Sequence, residues 1–89
     1  MPGNKYTIKY LDIVIKEDIP NLQATIRTMI KKAIEERLTI DPIGFGKPLR
    51  YSLKGHRRLR VSDYRIVYRI DNDTVIIVAI KHRKDVYDE

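Results

Sequence analysis

The chain has no cysteine and two histidines, and these shortages remove several kinds of chemistry at once. Disulfides and thiolate nucleophiles are excluded. A structural zinc site has too few ligands to be expected. No apolar run approaches the roughly 20 residues of a membrane-spanning helix, and the N-terminus lacks the apolar stretch of a signal peptide. No internal repeat, linker or low-complexity stretch interrupts the chain. The expectation is a soluble protein of the cytoplasm that uses no metal, cofactor or membrane contact.

What is present fits one small domain spanning residues 1–89. Hydrophobic residues make up 43% and charged residues 34%, enough for a modest core under a heavily charged surface. Eighteen Lys and Arg against twelve Asp and Glu leave a net charge of +6, which calls for an anionic partner: nucleic acid, an acidic protein, or both.

The organising stretch is Arg57–Ile70, R-R-L-R-V-S-D-Y-R-I-V-Y-R-I. Arginines alternate with Leu, Val, Ile and Tyr, the period of a strand with two unlike faces. With Ser62 and Asp63 as a two-residue hairpin loop, Val61 pairs with Tyr64, Arg60 with Arg65, Leu59 with Ile66, and Arg58 with Val67. One face then collects Leu59, Val61, Tyr64, Ile66 and Tyr68. The other collects Arg58, Arg60, Arg65 and Arg69 around Val67. Opposed like charges cost stability, so an anionic ligand is expected there. A merely solvated basic face is the plainer alternative.

Around this centre, Lys5–Leu11 alternates as a first strand. Asp12 is placed to cap a short helix to about Glu17, although Ile13, Val14 and Ile15 are β-branched. Pro20 suits the first turn of a second helix, Asn21–Leu38. Its stripe is Leu22, Ile26, Met29, Ile30, Ala33, Ile34 and Leu38. Asp41-Pro42 and Gly44-Phe45-Gly46 make a connection, Lys47–Leu53 a short extended segment or strand, and Thr74–Ile80 a strand buried on both faces. The fold class predicted is α+β: two N-terminal helices packed on a small twisted, mainly antiparallel sheet of about four strands.

The candidate chemistry gathers on the arginine face and the tail. If Asn72-Asp73 closes a second hairpin, Ile80 pairs with Arg65 and His82 falls on the arginine face. Tyr87, four residues after Arg83, shares a side with it if the tail is helical. Arginines grip a phosphate and stabilise a dianionic transition state, a His or Tyr moves protons, and an aromatic ring stacks on a base. Lys54, Arg57, Arg69 and Lys81 are candidates for further RNA contacts.

The segment L-R-Y-S-L-K-G-H-R-R-L-R-V-S-D-Y-R-I-V-Y-R-I, followed by I-K-H-R-K-D-V-Y, resembles the RelE/ParE superfamily of toxins, most closely its RelE branch. D-P-I-G-F-G-K-P-L-R resembles the family's segment before the hairpin. The resemblance implies a RelE-like fold and cleavage of messenger RNA in the ribosomal A site. There the 2′-hydroxyl attacks the adjacent phosphate, leaving a 2′,3′-cyclic phosphate and a 5′-hydroxyl. The implied catalytic positions are Arg58, Arg60 and Arg65 on the central strands, Arg83 and Tyr87 in the tail. Where well-known members carry two lysines this chain has Arg58 and Arg60, which weakens a proton-accepting role there and leaves His82 to take it. The resemblance also implies a cognate antitoxin as partner, besides the ribosome and its mRNA. Two other functions share these features: a ParE-like gyrase inhibitor without RNA chemistry, and a non-catalytic RNA- or ribosome-binding module.

Overall fold

The computed structural model describes residues 5–85. Five strands form one sheet among these residues, in the order β1-β5-β4-β3-β2. They are β1 (Thr7–Tyr10), β2 (Lys47–Pro48), β3 (Arg57–Val61), β4 (Tyr64–Asp71) and β5 (Thr74–His82). The β5–β4, β4–β3 and β3–β2 pairs are antiparallel, and β1 lies parallel to β5. The α+β class and mainly antiparallel sheet agree with expectation. The strand count does not: five strands replace four, because Lys47–Pro48 pairs with Arg58 and Arg57 as a two-residue edge.

The β3–β4 hairpin has the register that the alternation predicts. Val61 faces Tyr64, Arg60 faces Arg65, Leu59 faces Ile66, and Arg58 faces Val67. Ser62, first of the two loop residues, adopts φ 55, and Asn72 in the next hairpin adopts φ 56. A positive φ at the first loop position suits the twist of paired strands.

The second hairpin departs from expectation. Asp71 pairs with Thr74 and Tyr68 with Ile77, but Val67 then pairs with Ala79 and Arg65 with Lys81. Val78 is an extra residue in β5, a bulge between Val67 and Tyr68. A one-residue slip exchanges faces for everything beyond it. Ile80 therefore faces Ile66 rather than Arg65, and buries 3% exposed in the core.

One main helix covers the sheet, in place of the two expected. It comprises α1 (Ala24–Ala33) and continues through a wider π-type turn, Ile34–Leu38. The expected first helix is a single wide turn, Val14–Asp18, opened by Ile13 with no side-chain cap. Three consecutive β-branched residues give it little intrinsic helix preference. Nor does Pro20 start the second helix. Backbone bonds from Asn21 to Glu17 and from Leu22 to Ile19 keep the chain turning, and the helix begins at Ala24.

Leu22, Ile30, Ala33, Ile34 and Leu38 pack on Leu59, Val61, Ile66, Tyr68, Val75, Ile77 and Ile80. Full burial of side chains of this size stabilises by about 1.5–3 kcal/mol each relative to exposure. Met29, expected in the stripe, is 43% exposed and lies off it. Among the described residues no helix is long and apolar enough to cross a membrane.

The 41–46 connection holds a one-turn helix, α2 (Pro42–Phe45). Asp41 Oδ1 accepts from the Gly44 amide at 2.9 Å, and Pro42 supplies a preset first-turn φ. Two side chains from the sheet anchor it. The Tyr68 hydroxyl donates to the Pro42 carbonyl at 2.6 Å, and Arg57 Nη1 donates to the carbonyls of Ile43 and Gly46, each at 3.2 Å. Gly46 is required by close approach, since a Cβ there would drive into the Tyr68 hydroxyl.

Candidate functional site

The antiparallel registers assemble a basic face opposite the helix. Arg60, Arg65 and Lys81 form one cross-strand row, and Arg58, Val67 and Ala79 form the next. Directly opposed side chains share a face with Cβ atoms about 4.5–5.5 Å apart. Arg69 continues the same face opposite Ile76. Three strands thus bring Arg58, Arg60, Arg65, Arg69 and Lys81 to one side of the sheet. Arg58, Arg65 and Arg69 are half-buried, while Arg60 and Lys81 are exposed. Such an array can hold an anion chemically: guanidinium forks match phosphate oxygens, and their charge opposes that developing on a transferring phosphoryl group.

Lys81 stands in the row that parity arithmetic had assigned to Ile80. Its ammonium donates to Asp18 Oδ1 at 2.9 Å, and Asp18 Oδ2 accepts from the Ile80 amide at 2.9 Å. Asp18 thus serves β5 beyond Tyr10, where pairing with β1 ends. The carboxylate is 6% exposed. Its hydrogen bond is the main cause raising the Lys81 pKa, opposed by partial desolvation and aided by the charges of Asp18, Glu17 and Asp85. Lys81 is thereby held as a fixed cation.

His82 is not on the arginine face. It pairs with Tyr64 on the helix side, the two rings meeting edge-on with centroids 5.2 Å apart. Its Nδ1 accepts from the Lys84 amide at 3.2 Å. The bulge at Val78 is the physical reason: without it, parity would have turned this imidazole to the other side. Arg57 is likewise turned to the helix side opposite Tyr68, where it clamps α2 rather than joining the arginine face.

Arg83 begins a short 3-10 turn, Arg83–Asp85, at the hairpin end of the sheet. Its amide donates to the Asp63 carbonyl at 2.7 Å, and its Nε lies 3.8 Å from Asp63 Oδ1. Lys54 is exposed at the end of the turn Tyr51–Leu53. Tyr87 lies outside the described residues.

Sequence reasoning passed over Asp18, which reads as one more charge in a polar turn. A buried carboxylate facing a strand edge leaves no periodic signature, so Asp18 had no signal.

A small α+β protein with cations assembled on the face of its sheet opposite the helix is the class that this geometry defines. A sequence profile described as the ParE toxin of type II toxin–antitoxin system, parDE, matches residues 11–87. Toxin RelG of Mycobacterium tuberculosis is 33% identical over 84 residues, covering 92% of this chain and 95% of that protein. Toxin RelE3 of Methanocaldococcus jannaschii is 33% identical over 75 residues, covering 81% of this chain and 85% of that one. The toxin–antitoxin complex RelBE2 from Mycobacterium tuberculosis contains a chain that superposes with a TM-score of 0.82 at 32% identity, covering 89% of this chain and 99% of that one. The chain belongs to the RelE/ParE superfamily of type II toxin–antitoxin toxins, on its RelE branch.

Proposed function

We propose that this protein is a ribosome-dependent endoribonuclease that cuts messenger RNA in the A site without a metal ion, residues 1–89 acting as one toxin domain in the cytoplasm. The observation that carries the reading is the Arg60–Arg65–Lys81 row beside Arg58. In the reaction, the 2′-oxygen attacks the adjacent phosphorus and the bond to the 5′-oxygen breaks. The 2′-hydroxyl gives up its proton and the departing 5′-oxygen gains one, leaving a 2′,3′-cyclic phosphate and a 5′-hydroxyl.

Arg58, Arg60 and Arg65 hold the scissile phosphate and stabilise its added negative charge, with Arg83 closing the hairpin end. Arginine stays protonated and cannot readily take the proton. With His82 packed against Tyr64, Tyr87 is the proton carrier that the family likeness leaves. Lys54, Arg69 and Lys81 attract the flanking backbone. Binding through so many phosphates should weaken steeply with salt. A cognate antitoxin is proposed as the partner that neutralises this surface, in keeping with relatives solved as toxin–antitoxin complexes.

The test is mapping of 5′ ends on messages after brief expression, with wild type and Arg65→Ala. New ends within codons should appear with the first and fade with the second. Intact messages under wild type would overturn the reading. One observation favours a second reading: the matching profile is that of ParE toxins. A gyrase inhibitor would block supercoiling and leave messages whole, so a supercoiling assay run beside the end mapping separates the two.

A further inference from the structure

Strand β2 pairs with β3 only at Arg57 and Arg58, so the outer edge of β3 from Leu59 onward has no strand beside it. A recess of about 280 Å³ opens along that edge. Its lining is Arg37 from the wide turn that ends the helix, Phe45 from α2, Lys47 from β2, and Arg58, Leu59 and Arg60 from β3. Four cations thus converge on one ring, with no carboxylate among the described residues that line the space. A cleft lined by one sign of charge concentrates the opposite charge.

Phe45 is the chain's single phenylalanine, and it is 51% exposed. The fold does not use its ring to hold α2. Tyr68 and Arg57 grip the segment through the carbonyls of Pro42, Ile43 and Gly46, and Asp41 caps it through the Gly44 amide. The ring stays outside the core cluster while the backbone on either side of it is fixed. A ring held out in this way is preorganised, so little ordering cost remains for a ligand that stacks on it. Leu59, the other apolar residue of the lining, is 3% exposed, and its side chain belongs to the core. Ile40 and Ile43, half-exposed themselves, do not line the recess.

We infer that this recess is a platform for single-stranded RNA, one base stacking on Phe45 while Arg37 and Lys47 take the adjoining phosphates. That RNA is the ligand rests on the nuclease reading above. The recess shares Arg58 and Arg60 with the basic face, so a strand gripped there continues around the β3 edge without leaving positive charge. The two arginines stand two residues apart on β3, roughly 7 Å by strand rise, a spacing that successive phosphates can match. Stacking on an aromatic ring beside a cationic track holds unpaired strands without reading their sequence, because every base has a π-face. The platform therefore adds affinity along the RNA path and no preference among bases. An acidic protein segment is the competing occupant, and beyond the one ring the recess offers it no apolar seat.

Two measurements test it. Labelling phenylalanine rings gives one aromatic spin system, because the chain holds one Phe. Its NMR signals are followed as wild type is titrated with a short RNA of mixed sequence, 2′-O-methylated against cleavage, with a baseless sugar–phosphate oligomer of the same length, and with a peptide of alternating Glu and Leu. The ring signals should move upfield with the RNA and hold still with the baseless oligomer. Equal movement with both would overturn the platform, as would signals that answer the peptide and not the RNA. The second measurement is the affinity of the same RNA by fluorescence anisotropy. Phe45→Ala should weaken binding roughly 5- to 150-fold, and Phe45→Tyr should keep most of the wild-type affinity. Arg37→Ala and Lys47→Ala should each make log affinity against log salt shallower by about 0.7. Affinity and salt slope unchanged in these variants would overturn the assignment. If Phe45→Ala does not fold, the titration of wild type decides. RNA that moves the ring while wild type leaves messages whole would uphold the platform and sink the nuclease reading. Cleavage with a silent ring would do the reverse.

Discussion

On the helix side of the sheet, Leu59, Val61, Ile66, Tyr68, Val75, Ile77 and Ile80 are each at most 7% exposed. On the other side the same strands carry Arg58, Arg60, Arg65, Arg69 and Lys81 around a single buried valine, Val67. Strand β4 alone shows the contrast, with Tyr64, Ile66 and Tyr68 facing one way and Arg65, Val67 and Arg69 the other. The first face gains stability from every residue it buries. The second gathers like charges at positions where repulsion works against folding. A small domain with only about 5–15 kcal/mol in hand does not keep such a face for stability. The difference teaches which substitutions should read out as unfolding and which as lost activity.

The largest effect is expected on the buried face. Ile66 is fully buried, and Ile66→Ala should lower unfolding free energy by about 2–5 kcal/mol in urea denaturation. A midpoint close to wild type would mean that the helix does not seal this face. Across the strand, Arg65→Ala should reduce cleavage in a translating extract by about 10²–10³-fold. Its urea midpoint should move far less than that of Ile66→Ala. Comparable loss of stability would make Arg65 a structural residue and erase the contrast.

Tyr68 reaches from the buried face to α2. Tyr68→Phe strands the Pro42 carbonyl and should cost about 1–3 kcal/mol. Burial pushes the Tyr68 hydroxyl up to about 12, with Arg57 drawing it back down and Asp41 pushing it further up. The folded state therefore favours the protonated phenol. This stabilisation is whole below the ordinary value of 10.0 and is lost as pH climbs toward 12. Wild type should weaken through that window more than Tyr68→Phe, as read by urea midpoints at each pH.

Asp18→Asn should have a smaller effect, because Lys81 is about half exposed and solvent screens the pair. Its raised pKa gives a stabilisation present below the ordinary value of 10.5 and lost as pH rises through the folded value. The gap between variant and wild type should therefore narrow in strong alkali. The smallest effect is expected from His82→Ala. A histidine that moved the proton would contribute about 10²–10⁴-fold, and a ring turned to the helix side should fall far short of that. A loss of that size would return His82 to the reaction.

Much of this layout was legible in the residues. Val61 opposite Tyr64 and Arg60 opposite Arg65 followed from alternation and a two-residue loop, because a strand's period of two leaves little freedom once the turn is placed. The second hairpin misled for a reason equally physical. A bulge adds one residue without altering the apolar run T-V-I-I-V-A-I, so nothing in the pattern marks Val78. Everything assigned beyond it inherited the wrong face: Ile80 beside Arg65, and His82 among the arginines. Arg57 misled differently. It belongs to the arginine run by composition but to the Leu59 face by parity, and only the position of α2 explains its use as a clamp.

The sequence by itself determined the two-faced central hairpin, the helix that covers it and the net charge of +6, since each follows from local periodicity and composition. The tertiary structure alone decided that Lys81 completes the cationic row, that His82 leaves it, that Asp18 serves β5 beyond Tyr10, and that Phe45 borders the recess at the β3 edge. These depend on one inserted residue and on contacts between segments up to 63 positions apart, distances over which a linear pattern carries no register.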